Sequence, residues 1–84
     1  MNIDEIRDSI KSSIARITNL DPGEISDDAS YKDDLLLDSL TILEIAIDAE
    51  YQFKVTIPDE VLGDIRTVND TVRIVHEHLE MAVV

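Results

Sequence analysis

The chain of 84 residues contains no cysteine, only two glycines and two prolines, and few aromatic side chains. Without cysteine it has no disulfide, no thiolate nucleophile and no cysteine-based zinc site. With two glycines in all, it has no glycine-rich phosphate loop. No apolar run approaches the roughly 20 residues that span a bilayer, and the first residues lack the basic start and apolar stretch of a signal peptide. We therefore expect a cytoplasmic protein that begins at its own methionine and has no membrane partner.

Positive charge is also scarce, because seven Lys and Arg face nineteen Asp and Glu, giving a net charge of −12. Such a chain repels nucleic acid and anionic membrane surfaces and favours basic protein surfaces as partners. Its 44% hydrophobic and 31% charged residues are typical of a globular protein. The length predicts a single domain over residues 1–84 with one modest core and little room for an enclosed catalytic cleft.

The hydrophobic spacing predicts an all-α fold with three main helices, one short helix and a long first loop. Isoleucines spaced three and four residues apart predict the first helix over about residues 3–17. Residues 18–37 are interpreted as a loop that Leu20, Ile25 and Leu35 anchor to the core. A loop of this length in a compact domain is often functional.

Capping residues place the other helices. Asp38 is expected to cap a second helix that runs to about Phe53, and Pro58 to open a short helix through Leu62. Residues 55–57 resemble a strand but are too short to form a sheet. The segment 67–70 resembles a capping box for the last helix. The predicted inner face of that helix comprises Val68, Val72, Val75, Leu79 and Ala82.

The second main helix has two apolar faces. The inner stripe, assigned to the core, is Ile42, Ile45, Ala46, Ala49 and Phe53. The outer stripe, Leu40, Leu43 and Ile47, is predicted to be an exposed docking surface for other proteins. Acids frame the outer stripe and no Lys or Arg occurs between residues 33 and 53; those acids are Asp33, Asp34, Asp38, Glu44, Asp48 and Glu50. Acidic charge around an apolar stripe steers a partner with a basic rim.

Ser39 lies where the long loop meets the second helix. A hydroxyl at a helix start lies beside free backbone N–H groups, where negative charge is stabilised. A phosphodiester on Ser39 would therefore be tolerated, although the tripeptide Asp38-Ser39-Leu40 alone favours an ordinary N-cap or first-turn residue.

The flanks of Ser39 carry a family resemblance. The segment 34–40 resembles the modification site of acyl carrier proteins, and the likeness extends over roughly residues 3–80. The further segments that resemble this family are Pro22-Gly23-Glu24-Ile25, Asp28-Ala29-Ser30, Glu44, Phe53, Ile57-Pro58-Asp59-Glu60 and Thr67-Val68-Asn69-Asp70.

The resemblance implies a four-helix bundle that is not an enzyme. In the family a phosphopantetheinyl transferase attaches 4′-phosphopantetheine from coenzyme A to the serine, here Ser39, with Asp38 and Leu40 beside it. Acyl groups then travel as thioesters on the thiol of the cofactor. A chain without cysteine can therefore still carry thioesters, because the cofactor supplies the thiol. The implied partners are the transferase, an acyltransferase or ligase, a ketosynthase and other acyl-processing enzymes of fatty-acid or polyketide biosynthesis. We expect a monomer whose docking residues are Leu40, Leu43, Glu44, Ile47, Asp48 and Glu50.

Two positions depart from the family pattern. Leu36 stands where glycine is common, and Thr41 stands where an acidic residue is frequent. Both changes could alter which enzymes dock best. The small Ala46 and Ala49 suggest room for an acyl chain between helices.

Other functions are weighed against the carrier. A carrier of aminoacyl units such as D-alanyl, or of specialised starter or extender units, stays open, as does an unmodified acidic adaptor that binds a basic partner. His76 and His78 lie on different faces of a helix and are poor joint metal ligands. The acids at 27–28 and 33–34 lack the glycine and closing glutamate of an EF-hand loop. No metal site is predicted.

Overall fold

A computed structural model describes residues 2–82 of the protein, and the side chains of residues 2–80. It contains four α-helices: α1, Ile3–Thr18; α2, Ser39–Phe53; α3, Asp59–Leu62; and α4, Val68–Ala82. A single 3₁₀ turn, Pro22–Glu24, lies in the first loop. The described residues contain no β-strand, so the predicted all-α bundle is confirmed. Among these residues no helix has both the length and the apolarity needed to cross a membrane.

Local capping sets the ends of α1. The Asn2 side chain accepts a hydrogen bond from the Glu5 N–H at 2.9 Å, which satisfies one free donor of the first turn. Asn19 ends the helix in the left-handed conformation (φ 63°), and its N–H donates to the Ala15 carbonyl. The helix therefore ends at Thr18, one residue after the end that the isoleucine spacing predicts.

The core lies between α1, α2 and α4, with α1 packed against both partners. Ile6, Ile10 and Ile14 of α1 are fully buried, as are Val68, Val72 and Val75 of α4. Of the inner stripe of α2, Ile45, Ala46, Ala49 and Phe53 are buried and Ile42 is half-buried against the core. Leu79 packs at the core edge, and the side chain of Ala82 lies outside the described residues. The predicted inner faces of α2 and α4 are thus confirmed wherever their side chains are described. In α1 the predicted face is buried only in its middle, because Ile17 is half-buried and Ile3, in the first turn, is 40% exposed.

The long loop is held by one short antiparallel pairing. Ser30 and Thr67 form an isolated bridge, in which the Tyr31 N–H donates to the Arg66 carbonyl at 3.0 Å. Tyr31 is fully buried, and its hydroxyl lies 2.5 Å from the Thr71 hydroxyl of α4. Ile25 is buried and Leu20 and Leu35 are half-buried, so the predicted anchors are confirmed. This pairing brings the loop before α2 alongside the segment between α3 and α4.

The short segments after α2 also follow their sequence signals. Val55 and Ile57 are buried in an extended connection that is not a strand. Pro58 caps α3, and the capping box at the start of α4 is reciprocal: the Thr67 N–H donates to Asp70 at 3.1 Å and the Asp70 N–H donates to Thr67 at 3.1 Å.

Candidate functional site

Ser39 is the first residue of α2, and it is exposed. Asp38 precedes it as the N-cap, and the Asp38 carboxylate accepts the Thr41 N–H at 2.8 Å. That hydrogen bond is the main reason that the pKa of Asp38 is lowered, so this carboxylate is ionised at neutral pH. Among the described residues the Ser39 hydroxyl makes no hydrogen bond, so the fold does not require it to stay unmodified.

Ser39 also borders a cavity of about 330 Å³ between α2, α3 and the first loop, which we call the Ser39 cavity. Its lining is mainly apolar and includes Ala46 of the inner stripe, whereas Ala49 is fully buried and takes no part. The described lining contains no histidine, cysteine or carboxylate that could act as a base on the Ser39 hydroxyl. The lining residues are Lys32, Ser39, Ile42, Leu43, Ala46, Leu62, Gly63 and Ile65.

The outer stripe faces solvent, as predicted. Leu40 is 65% exposed, Leu43 39% and Ile47 52%. Tyr51, one helical turn beyond Ile47, is 88% exposed and extends the same face. Tyr51 was absent from the predicted docking residues, although its spacing of four from Ile47 is the signal that identifies it.

The acids near this face divide into two groups. The Glu44 carboxylate is exposed and forms no ion pair or hydrogen bond among the described residues. Asp48 instead binds Arg16 of α1 at 2.9 Å, and Glu50 accepts the Ile57 N–H at 3.1 Å. Partial burial opposes ionisation of Asp48, but the hydrogen bond from Arg16 lowers its pKa overall. Glu44 is therefore free to meet a partner, while Asp48 and Glu50 already have partners within the fold.

Leu36 lies three residues before Ser39 and has φ 56°, the left-handed region that favours glycine. Its neighbours Leu35 and Leu37 pack against the core, so Leu36 projects outward and is 83% exposed. The backbone therefore keeps the conformation suited to glycine while an exposed apolar side chain stands three residues before Ser39. Thr41, the other departure, is half-buried and donates its N–H to the Asp38 cap.

The remaining chemistry-bearing side chains lie elsewhere. His78 contacts the Ile74 carbonyl within α4, and His76 pairs with Glu80 one turn away when protonated. Asp27 pairs with Lys11 and with Arg7 of α1, which lowers the pKa of that carboxyl. Within residues 2–82 no group of three His, Asp or Glu residues is arranged to hold a metal ion.

Comparison with known proteins supplies an independent observation. A family model described as a phosphopantetheine attachment site matches residues 8–75. The meromycolate extension acyl carrier protein of Mycobacterium leprae is 44% identical over 69 residues, which are 82% of this chain and 60% of that protein. The chain thus spans about three fifths of the length of that relative.

Two further matches cover different shares of this chain and of the matched proteins. An acyl carrier protein of Thermobifida fusca is 37% identical over 73 residues, covering 87% of this chain and 92% of that protein. The solution structure of the apo doublet acyl carrier protein from prodigiosin biosynthesis superimposes with a TM-score of 0.78 at 26% identity, over 88% of this chain and 36% of that one.

Proposed function

The chain belongs to the acyl carrier proteins, and from that premise we propose that it carries acyl groups as thioesters on a 4′-phosphopantetheine arm attached to Ser39. The observation that carries the assignment of Ser39 is its position at the start of α2. There an exposed hydroxyl, free of hydrogen bonds among the described residues, borders an apolar cavity inside the segment that the family model matches.

The residues around Ser39 fit a phosphodiester. Backbone N–H groups of the first turn of α2 point toward the attachment position and stabilise negative charge there. The Asp38 carboxylate is directed at the Thr41 N–H, so it is held by the helix cap. The arm, when attached, supplies the thiol that the sequence lacks.

In this proposal the protein itself is not a catalyst. Ser39 has no base in its cavity, so the transferase must activate the hydroxyl. The outer stripe and Tyr51 then present the arm to successive enzymes, with Glu44 as the acid best placed to meet a basic rim. Fatty-acid or polyketide-type assembly is the setting that we propose for those enzymes.

The test is chemical loading. The protein is incubated with a broad-specificity phosphopantetheinyl transferase and coenzyme A, and its mass is measured before and after. We expect a gain equal to one phosphopantetheine arm in the wild type and in Ser26→Ala, which removes an exposed serine from the first loop, and no gain in Ser39→Ala.

Each result has a distinct meaning. An unchanged mass with Ser39 intact would remove the carrier function and favour an unmodified acidic adaptor. Modification of Ser39→Ala would retain a carrier but refute the attachment site. Mass analysis of the native protein purified from its source identifies the group it carries, which separates an acyl from an aminoacyl carrier.

A further inference from the structure

Leu36 combines a strained backbone with an exposed apolar side chain. Its φ of 56° lies in the left-handed region that favours glycine, and its side chain is 83% exposed. The other non-glycine residues with positive φ in the described part of the chain, Asn19 and Lys54, end α1 and α2, where the left-handed conformation completes a cap. Leu36 ends no helix. Residues held in such sparsely populated conformations cluster at sites that act on ligands or partners.

The surrounding loop holds Leu36 in this orientation. The N–H groups of its two neighbours donate to the loop backbone, Leu35 to the Ser30 carbonyl at 3.0 Å and Leu37 to the Tyr31 carbonyl at 2.8 Å. The side chains of Leu35 and Leu37 pack against the core. Leu36 could turn inward only if one of these neighbours left the core, so its side chain is held in solvent. A leucine held in this way gains little from the fold and stays available to a partner.

Leu36 places an exposed apolar group on the loop side of Ser39. It lies three residues before Ser39 in the chain, and Leu40, which is 65% exposed, lies one residue after Ser39. Exposed apolar side chains therefore flank the attachment position in both directions, with Leu36 on the first loop and the outer stripe on α2. Apolar groups that recur in solvent around one functional group indicate a surface that another molecule covers.

Acidic side chains near Leu36 in the sequence indicate the charge of the molecule that covers it. Asp33, Asp34 and Asp38 are exposed and form no ion pair among the described residues, and Lys32 is the one cation in this part of the sequence. A second copy of the chain would bring a further charge of −12 to this surface, and an anionic membrane would be repelled in the same way. The charges instead favour a protein that has basic side chains around an apolar pocket.

We propose that Leu36 is an apolar anchor for the phosphopantetheinyl transferase, which holds the attachment site with Leu36 on one side of Ser39 and Leu40 on the other. The proposal rests on the proposed function, because a transferase docks here only if Ser39 receives the arm.

The chemistry of arm attachment selects the transferase among the partners. The Ser39 oxygen bonds to the pantetheine phosphorus of coenzyme A, and the hydroxyl proton passes to a base of the transferase. The bridging P–O bond of the diphosphate breaks, and the nucleotide half leaves with the bridging oxygen. Because the new bond forms at Ser39 itself, the transferase must cover the residues beside Ser39. Enzymes that act later react with the far end of the arm and have no such need.

The experiment measures the initial rate of arm attachment by a broad-specificity phosphopantetheinyl transferase while the concentration of the carrier is varied. Leu36→Asn keeps a side chain of similar size and tolerates the left-handed conformation, but it is polar. Its KM should rise about 10-fold or more with kcat little changed, because an anchor contributes equally to binding before and during the transfer. Leu36→Met, which is apolar, should keep KM within about threefold of the wild type.

Lys54→Asn is the matched control. Lys54 is exposed and has the same φ of 56°, but it lies at the opposite end of α2 from Ser39. Both asparagine variants should be at least as stable as the wild type in urea denaturation, because asparagine tolerates this conformation better than leucine or lysine does. Only Leu36→Asn should raise KM, which separates the loss of the apolar side chain from the change in backbone strain.

The possible failures are distinguishable. A wild type that accepts no arm overturns the proposed function and the anchor with it. A wild type that accepts the arm, together with an unchanged KM in Leu36→Asn, overturns the anchor alone. A fall in kcat with KM unchanged would show that Leu36 positions Ser39 without binding the transferase, and the proposal would be wrong. A wild type that sediments as a dimer, with Leu36→Asn a monomer, would assign Leu36 to contact with a second copy and would also overturn the proposal.

Discussion

Leu36 holds a backbone conformation that costs leucine about 1 kcal/mol or more, because its Cβ crowds the adjoining carbonyl at φ 56°. Its side chain is 83% exposed and recovers little of that cost by packing. Leu36→Gly should therefore raise the free energy of unfolding by about 0.5–1 kcal/mol, or roughly 3–6 °C in the unfolding temperature. Leu36→Ala, which removes most of the side chain and keeps the backbone strain, should change the free energy of unfolding little. Equal effects of the two variants would contradict the strain argument.

Tyr31 and Thr71 form a fully buried hydroxyl pair. Tyr31→Phe leaves the Thr71 hydroxyl without this partner, and we expect a loss of about 1–2 kcal/mol in the free energy of unfolding, measured by urea denaturation. Thr71→Val should also destabilise the protein. The double variant should lose less than the two single variants together, because it leaves no unpaired hydroxyl. Strictly additive losses would show that the two hydroxyls do not stabilise each other.

The same tyrosine makes stability depend on alkaline pH. Burial raises the pKa of Tyr31 to about 12, from about 10 in the unfolded chain. The neutral phenol thus favours the folded state fully below pH 10, and this contribution is lost as pH rises from about 10 to about 12. Tyr31→Phe should flatten the fall in stability over that range, whereas Tyr51→Phe, at an exposed position, should not. If Tyr31→Phe loses stability at alkaline pH as steeply as the wild type, the loss arises from the titration of other groups.

At the scale of the elements, α2 has one face in the core and one face in solvent, and we propose that the solvent face receives partner proteins. Its outer stripe contributes little to the core, so Leu40→Ala and Ile47→Ala should shift the unfolding temperature only slightly. Each should lower kcat/KM for arm attachment or acyl transfer about 5–30-fold. A docked partner would bury the apolar side chain, and that burial contributes about 1–2 kcal/mol to the binding free energy. Ile3→Ala removes an exposed isoleucine from α1 and is the control. Equal rates for all three variants would place docking on another face.

The helices were predictable because their signals are local. Spacing of three and four residues, the Asp38 cap and the reciprocal box at Thr67 and Asp70 lie within single segments, and the structure reproduces them. The burial of Tyr31 was missed, since it depends on Thr71, forty residues away. The proximity of Lys32 and Arg66 was missed for the same reason: only the bridge between distant segments brings these two residues to one cavity.

The pairing of the acids around α2 could not be predicted from helical periodicity. Helical spacing correctly places the outer stripe in solvent, but it cannot tell which neighbouring acid already has a partner. Asp48 meets Arg16 of α1 and Glu50 meets the backbone of Ile57, and both contacts depend on how the helices pack. Glu44 alone of these three keeps a free carboxylate among the described residues. Fewer acids are therefore available to a partner at the proposed docking face than the composition indicates.

At the scale of the whole molecule, a net charge of −12 on 84 residues opposes the compact state. Salt should screen this repulsion, since the Debye length falls from about 10 Å at 0.1 M to about 3 Å at 1 M. Salt also weakens the favourable ion pairs of Asp27 and Asp48, but partly exposed pairs contribute only about 0–1 kcal/mol each. Repulsion among the many unpaired acids should outweigh that loss.

We therefore expect the unfolding temperature to rise by about 5 °C or more as sodium chloride increases from about 0.05 M to about 0.5 M. A triple variant tests the cause: Asp8→Asn, Glu24→Gln and Asp59→Asn change three exposed acids that form no ion pair among the described residues. Removing three charges takes the net charge from −12 to −9. This variant should be more stable than the wild type at low salt and less sensitive to added salt. A wild type whose stability is flat or falls with salt would mean that local ion pairs, not net charge, govern the electrostatics of folding.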